Sequence, residues 1–184
     1  MHQILWQWIG RPGHEAARVT QAGDRWLLAG TSVFAQDADP VSLDYEIVCD
    51  AGWRTREARV RGWVGERRID VDIRVEGAWK MNGTEVDAVR DCIDIDLNFS
   101  PSTNLLPIRR LGLNVGDAAV VTAAWLRFPS FQLEPLPQRY TRIDETHVHY
   151  QSLISNFEAL LTVDESGLVL DYPGGWKDAR LTGS

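Results

Sequence analysis

The chain has 184 residues, of which 44% are hydrophobic and 24% are charged. This composition excludes a disordered chain, and the length suits one all-β domain over residues 1–184. The net charge of -7 opposes binding to phosphate backbones, so no nucleic-acid partner is expected.

The cysteines and the hydropathy of the chain predict where the protein is located in the cell. Cys49 and Cys92 are far apart and form no CxxC pattern, which excludes a zinc knuckle and a disulfide framework. The longest uncharged apolar run, Ala118 to Leu126, is about half of the roughly 18 residues that a membrane helix needs. We therefore expect no integral membrane segment and a cytoplasmic location.

Apolar residues alternate with polar ones along most of the chain, and no stretch has the apolar spacing of an amphipathic helix. In the segment 41–49, for example, Val41, Leu43, Tyr45, Ile47 and Cys49 share one face. The pattern predicts strands near 4–9, 15–21, 25–34, 41–49, 53–64, 67–76, 91–99, 118–127, 138–143, 146–151, 157–164 and 168–172. This series predicts a closed or rolled antiparallel sheet.

One hairpin can be placed in register from its charges. Gly65-Glu66 predicts a type II′ turn, which pairs Val64 with Arg67. Counting back from the turn places Arg61 opposite Asp70, Arg59 opposite Asp72 and Glu57 opposite Arg74, with Val60 opposite Val71 and Ala58 opposite Ile73 on the other face. A slip by one residue would destroy both patterns, so we interpret this arginine-rich region as a solvated sheet face rather than an anion site.

The segment 91–99 alternates as strictly as the hairpin does. Ile93, Ile95, Leu97 and Phe99 fall on one face, and Cys92, Asp94, Asp96 and Asn98 fall on the other. Carboxylate pairs for glycoside hydrolysis could be chosen among Asp94, Asp96, Asp70 and Asp72. The alternation instead favours a solvated outer face for all four.

Ser100 to Asp117 is the exception to the strand pattern. Pro101 and Pro107 bracket a short apolar stretch and Gly112 can end a helix, so one short helical segment is predicted near 103–111. Its position between two strong strands predicts a plug or lid over one mouth of the roll.

The chain carries 8 Trp, 4 Tyr and 5 Phe. Tryptophan suits sites where an apolar body meets a polar rim, although the same rings can fill a wide core. Trp53, Trp63 and Trp79 lie beside turns, and we expect them at a mouth or on the surface.

Catalytic signatures are weak. There is no GxSxG elbow, no GxGxxG and no Walker loop, so no cofactor is indicated. His147 and His149 share a strand face, and Glu145 has the same parity. These three residues could hold a divalent metal or act as general bases, which keeps a small-molecule enzyme as an alternative.

Several segments resemble a bacterial domain family named putative glycolipid-binding. They are CDAGWRTREARVRGW from Cys49, DLNFSPSTNLLPIRRL from Asp96, AAWLRFPSF from Ala123, PLPQRYTR from Pro135 and FEALLTVDESGLVLDYPGGWK from Phe157. The resemblance spans nearly the whole chain and implies a spiral β-roll. It also implies a likeness in shape to bacterial carriers of lipidated proteins, and it supplies no functional residues.

The leading hypothesis is that a small amphiphile, a lipid or glycolipid, binds with its apolar chains inside the roll and its polar head at the mouth. The candidate head-group residues are Asn98, Thr103, Asn104, Arg109 and Arg110, with Gln138 and Tyr140 as rim partners. Turn chemistry and helix capping by Thr103 or Asn104 explain part of this set equally well. A third class is a structural or interaction protein with a solid core.

Overall fold

The computed structural model describes residues 1–181, in which it has fifteen β-strands and one α-helix. The strands are β1 (His2–Trp8), β2 (Gly13–Ala22), β3 (Arg25–Gln36), β4 (Asp39–Cys49), β5 (Thr55–Val64), β6 (Arg67–Val75), β7 (Trp79–Met81), β8 (Thr84–Glu85), β9 (Ile95–Leu97), β10 (Ala118–Arg127), β11 (Gln132–Arg142), β12 (His147–Ser152), β13 (Glu158–Val163), β14 (Val169–Asp171) and β15 (Trp176–Asp178). The helix α1 spans Leu105–Leu111, and 3-10 turns lie at Pro101–Asn104, Asp87–Val89 and Ala179–Leu181.

All fifteen strands form one sheet in the order β8-β7-β6-β5-β4-β3-β2-β1-β15-β14-β13-β12-β11-β10-β9. Neighbours are antiparallel except β9 and β10, which run parallel. The strand β15 returns to pair with β1, where Trp176 lies opposite Trp8. Because β8 and β9 are the edges of the described sheet, it rolls without closing into a barrel. The prediction of an all-β roll with one short helix is confirmed.

The β5–β6 hairpin has the predicted register at every position. Glu57, Arg59 and Arg61 face Arg74, Asp72 and Asp70, and Val60 faces Val71 on the other side. Gly65 has a φ of 55°, as the first residue of a type II′ turn requires. The arginines of this face pair with carboxylates on the solvated side, for example Arg61 with Asp70 at 3.1 Å.

Two strands differ most in length from their predictions, and the short strands β7, β8 and β15 are not predicted. Only Ile95–Leu97 of the segment 91–99 is a strand, because irregular backbone precedes it and a turn at residues 98–99 ends it. The strand β11 begins at Gln132 and contains Pro135 and Pro137. There β11 pairs with β10, and its pairing with β12 begins only at Gln138, so the prolines lie where fewer ladder donors are needed.

The buried side chains form two clusters that meet at α1. The larger cluster packs the inner face of β1 to β7 against β9, β10 and the aromatic turn after β10. The smaller cluster includes Tyr140, Tyr150 and Leu161. Leu105 and Leu106 of α1 belong to the larger cluster and Ile108 to the smaller one, so the helix packs as a plug within the core. No helix within residues 1–181 is long and apolar enough to cross a bilayer.

The tryptophans beside turns are mostly buried. Trp63 is 43% exposed, as expected, but Trp53 is 7% and Trp79 only 1% exposed. The expectation for Trp53 and Trp79 is therefore wrong. Trp79 Nε1 donates a hydrogen bond to the Cys92 carbonyl at 3.0 Å, which satisfies the indole inside the core.

Candidate functional site

The second half of the sheet curls around a cavity of about 500 Å³. Side chains from β9, β10, β11, β12, β15 and β1 line it, together with the turns after β12 and β14. A groove of about 570 Å³ lies on the outside of β1 to β4, where Tyr45 is the single aromatic residue of the described lining. The cavity is the stronger candidate because aromatic and polar side chains converge there.

A row of three side chains crosses neighbouring strands at the cavity. Trp125 on β10 pairs with Asp96 on β9 and with Glu134 on β11. Paired positions project from the same face of a sheet, so the indole lies between two carboxylates. The Arg127 guanidinium lies 5.3 Å from the centre of the Trp125 ring and 3.5 Å from the Glu134 carboxylate.

Five further aromatic rings line the cavity. The Trp8 and Trp176 rings have centroids 4.4 Å apart. The Tyr172 ring centroid lies 6.2 Å from that of Tyr150 and 6.0 Å from that of Phe157. Flat apolar faces of this kind suit a sugar ring or an alkyl chain, because both present C–H surface.

Polar groups behind the cavity wall form one hydrogen-bond network. Gln138 Nε2 donates to Asp96 Oδ2 at 2.6 Å and to the Tyr150 hydroxyl at 3.3 Å. The Tyr140 hydroxyl donates to Gln138 Oε1 at 3.2 Å and accepts from Asn104 Nδ2 at 3.1 Å. Burial raises the pKa of Asp96 to about 6, although the hydrogen bond from Gln138 opposes this rise. The network therefore holds a desolvated carboxyl group at the cavity surface.

A second network lies deeper, behind Ser100 of the cavity lining. Glu15 on β2 is fully buried, and its Oε1 accepts from the Tyr45 hydroxyl at 2.7 Å and from Ser100 Oγ at 2.5 Å. Burial raises the pKa of Glu15 to about 8, against the effect of these hydrogen bonds. Glu15 Oε2 and Ser32 Oγ are buried without a hydrogen bond of normal geometry among the described residues.

Gly30 makes room for this deeper network. A Cβ atom at Gly30 would lie 2.5 Å from the Tyr45 hydroxyl oxygen and 2.7 Å from the Ala16 carbonyl oxygen. We expect Gly30→Ala to lower the free energy of unfolding by about 1–3 kcal/mol, because the tyrosine that binds Glu15 must shift. Urea denaturation measures this loss. Gly52→Ala is the control, since its Cβ would have only an ordinary 3.4 Å contact, and equal losses in both variants would contradict the argument.

Four of the sequence-predicted residues meet at the cavity. Asn98 and Asn104 line it, while Gln138 and Tyr140 lie in the network just behind it. Asn98 Oδ1 also accepts from the Phe128 backbone N–H at 3.1 Å, so part of this side chain holds the turn after β10.

The other three predicted residues make contacts elsewhere. Thr103 Oγ1 accepts from the Leu97 backbone N–H at 3.2 Å. The Arg109 guanidinium lies 5.3 Å from the centre of the Trp53 ring, away from the cavity. Arg110 binds both carboxylate oxygens of Asp94, with Nε 2.9 Å from Oδ1 and Nη2 2.5 Å from Oδ2. The structure therefore does not bring the two arginines to the cavity.

The interpretation of Asp94 and Asp96 as a solvated face is wrong. Asp94 is 1% exposed, and Asp96 is half-buried at the cavity. The segment around β9 is covered on both sides, by the larger cluster on one and by Arg110 and Gln138 on the other. The same interpretation holds for Asp70 and Asp72, which pair with arginines on the exposed side of the hairpin.

Sequence reasoning also missed Trp125 and Glu134 as site residues. Their alignment with Asp96 depends on the pairing of β10 with β9 and β11. The available signal was the tryptophan in the otherwise small and aliphatic run AAVVTAAWL, which is an unusual place for so large a ring.

The histidine pair does not form a metal centre in the described structure. His147 and His149 alternate with the buried Val148 and Tyr150 and therefore project away from the core. His147 Nδ1 lies 2.9 Å from the Asp144 carboxylate, and His149 Nε2 lies 3.4 Å from that of Glu158. Across residues 1–181, no group of three or more His, Cys, Asp or Glu side chains is placed to hold a metal ion.

The third residue of that alternative, Glu145, lines a separate shallow pocket together with Arg142 and Asp164. The geometry therefore gives no support to a His147, His149 and Glu145 metal or acid–base cluster.

Comparison with known proteins gives a family. A family model described as "Putative glycolipid-binding" matches residues 3–178, which include every side chain of the cavity lining. A crystal structure of a DUF1089 family protein from Pseudomonas aeruginosa has a TM-score of 0.79 and 33% identity to this chain, with 89% of this chain and 91% of that chain covered. Among proteins with curated functions, none matches. With the shared fold and this coverage, the chain belongs to the putative glycolipid-binding family.

Proposed function

We propose that the cavity binds the sugar head of a glycolipid. The lipid chain extends out of the cavity along the exposed apolar residues at its opening. The supporting observation is the combination in one cavity of about 500 Å³ of six aromatic rings with hydrogen-bonding side chains. Sugar rings need both features, because their C–H faces stack on aromatic rings and their hydroxyls hydrogen-bond to carboxylates and amides.

The positions of polar and apolar groups support this orientation of the ligand. Ser100 and Asn104 are 7% and 6% exposed, so hydrogen-bonding groups lie at the deep end of the cavity beside the buried rings of Tyr150 and Trp176. Ile154 and Phe157, which also line it, are 60% and 46% exposed. The proposed orientation is the reverse of the hypothesis from the sequence, in which the apolar chains lie inside the roll and the polar head lies at the mouth. A polar head inside the cavity leaves the exposed apolar residues to contact the lipid chain.

Trp125 provides the sharpest test of this proposal. We expect Trp125→Ala to weaken binding of n-octyl β-D-glucopyranoside, below its micelle concentration, by about tenfold or more, because the stacking surface is lost. Intrinsic tryptophan fluorescence measures the titration in the wild-type protein, and calorimetry checks it in the variant. Trp63→Ala is the control, since Trp63 lies on the outer face of the β5–β6 hairpin and is 43% exposed.

Native mass spectrometry of the purified protein tests the same proposal without a chosen probe. We expect a stoichiometric mass excess that organic extraction identifies as a sugar-headed lipid. A protein that carries no lipid and also fails to bind the octyl glucoside contradicts the proposal. Equal losses of affinity in Trp125→Ala and Trp63→Ala would show that the octyl glucoside does not bind by stacking on Trp125 in the cavity.

A further inference from the structure

Carboxylates outnumber cations among the described side chains that line the cavity. Within the described lining they are the carboxylates of Asp96 and Glu134 and the guanidinium of Arg127. Arg127 lies 3.5 Å from Glu134 and over the Trp125 ring, so Asp96 is the carboxylate of the described lining that is not paired with a cation. Within residues 1–181, Asp96 has no cation among its hydrogen-bond partners, and its Oδ2 accepts from the neutral amide of Gln138.

We infer that the cavity selects an uncharged sugar head and rejects an anionic one, and that Asp96 is the residue that discriminates between them. This inference rests on the proposed function of the cavity. Gln138 holds Asp96 Oδ2, and no hydrogen bond within the described residues occupies Oδ1, which leaves that oxygen to accept from a ligand hydroxyl. A phosphate, sulfate or carboxylate in the same place would bring a second negative charge against a desolvated carboxylate.

The position of Asp96 makes this discrimination strong. It lies beside Trp125 in the sheet, so a ring stacked on the indole has its edge next to the Asp96 carboxylate. Two like charges at about 4–5 Å in a partly buried site repel strongly enough to change an affinity by at least about tenfold. A solvated surface carboxylate would be screened and would discriminate far less.

Two amphiphiles that differ in a single group test the inference. These are n-octyl β-D-glucopyranoside and n-octyl β-D-glucuronide, which share the alkyl chain and the sugar ring but differ by one carboxylate. Affinities are measured by calorimetry at pH 8, where Asp96 is ionised because its pKa is about 6. We expect the wild-type protein to bind the glucoside at least about tenfold more tightly than the glucuronide.

The Asp96→Asn variant keeps the shape and the oxygen acceptor but removes the charge. We expect its preference for the glucoside to fall at least about threefold relative to wild type, chiefly because the glucuronide binds better. Glu46→Gln is the control, since Glu46 is an exposed carboxylate on the outer face of β4, and it should leave the preference unchanged.

The outcomes separate the two proposals. If the glucoside and the glucuronide bind wild type equally well, the charge selection is wrong and glycolipid binding stands. If the preference is present but survives in Asp96→Asn, another group discriminates and the assignment to Asp96 is wrong. If neither amphiphile binds, both the proposed function and this inference fall.

Discussion

Replacing Arg110 with alanine is expected to lower the free energy of unfolding by about 3–5 kcal/mol. Arg110 on α1 binds both oxygens of Asp94, and the Asp94 side chain is only 1% exposed. Removing the guanidinium leaves a carboxylate buried without its counter-charge, which costs far more than the intact pair contributes. Urea denaturation of the variant, followed by circular dichroism, measures the loss.

The exposed ion pair of Arg61 and Asp70 provides a matched control. Its nitrogen and oxygen are 3.1 Å apart, but both side chains are at least half exposed. We expect Arg61→Ala to cost at most about 1 kcal/mol, because water solvates the carboxylate that remains. Similar losses in the two variants would show that the Arg110 contact with Asp94 is no more important than a surface pair. A second variant, Arg110→Met with Asp94→Asn, should recover part of the loss, since no buried charge remains.

Replacing Glu15 with glutamine is expected to make the protein more stable at pH 8 and to change its stability little at pH 5. Burial raises the pKa of Glu15 from 4.5 to about 8 in the folded protein. Between these values the folded state holds a proton that the unfolded state has lost, so stability falls as the pH rises. The cost amounts to about 4 kcal/mol at pH 8, as an order of magnitude.

Glutamine suits the same site without titrating. Its carbonyl oxygen can still accept from Tyr45 and Ser100, and its amide can donate toward Ser32, whose buried Oγ has no hydrogen bond of normal geometry in the described structure. Urea midpoints of wild type and Glu15→Gln at pH 5 and pH 8 give the comparison. Glu46→Gln, which removes an exposed carboxylate on β4, should leave the pH dependence unchanged. A wild-type slope that survives in Glu15→Gln would assign the titration to another group.

The sequence predicts the fold best where partners are close along the chain. The hairpin from Glu57 to Arg74 could be placed residue by residue because one turn sets its register and two patterns agree on it. The row of Asp96, Trp125 and Glu134 could not be placed in this way. Asp96 and Trp125 lie on the parallel strands β9 and β10, and a long connection through α1, not a tight turn, sets the register of these strands.

The candidate site shows the same limit in its details. Alternation in the segment 91–99 correctly predicts that Ile95, Leu97 and Phe99 lie in the core. It misplaces Cys92, which is buried in the same cluster, and it does not show what covers Asp94 and Asp96. Asp94 and Asp96 accept hydrogen bonds from Arg110 and Gln138, respectively. These contacts depend on the tertiary structure, so the alternation of the segment does not predict them. The sequence predicts Gln138 and Tyr140 as residues near the ligand, and the structure places both in the network behind the cavity, where their involvement in binding stays a prediction.

The pairing of β1 with β15 has a consequence for how the protein is made. Trp6 donates its indole N–H to the carbonyl of Val169, and Trp8 faces Trp176, so the middle of the sheet joins segments more than 160 residues apart. During synthesis, β1 to β8 can assemble while the open side of β1 still lacks its neighbour. Until β15 has been synthesised, we expect the unpaired edge of β1 to be the region most prone to pair with strands of other molecules. The cavity takes Trp8 from one side of that junction and Trp176 from the other, and so it is completed last.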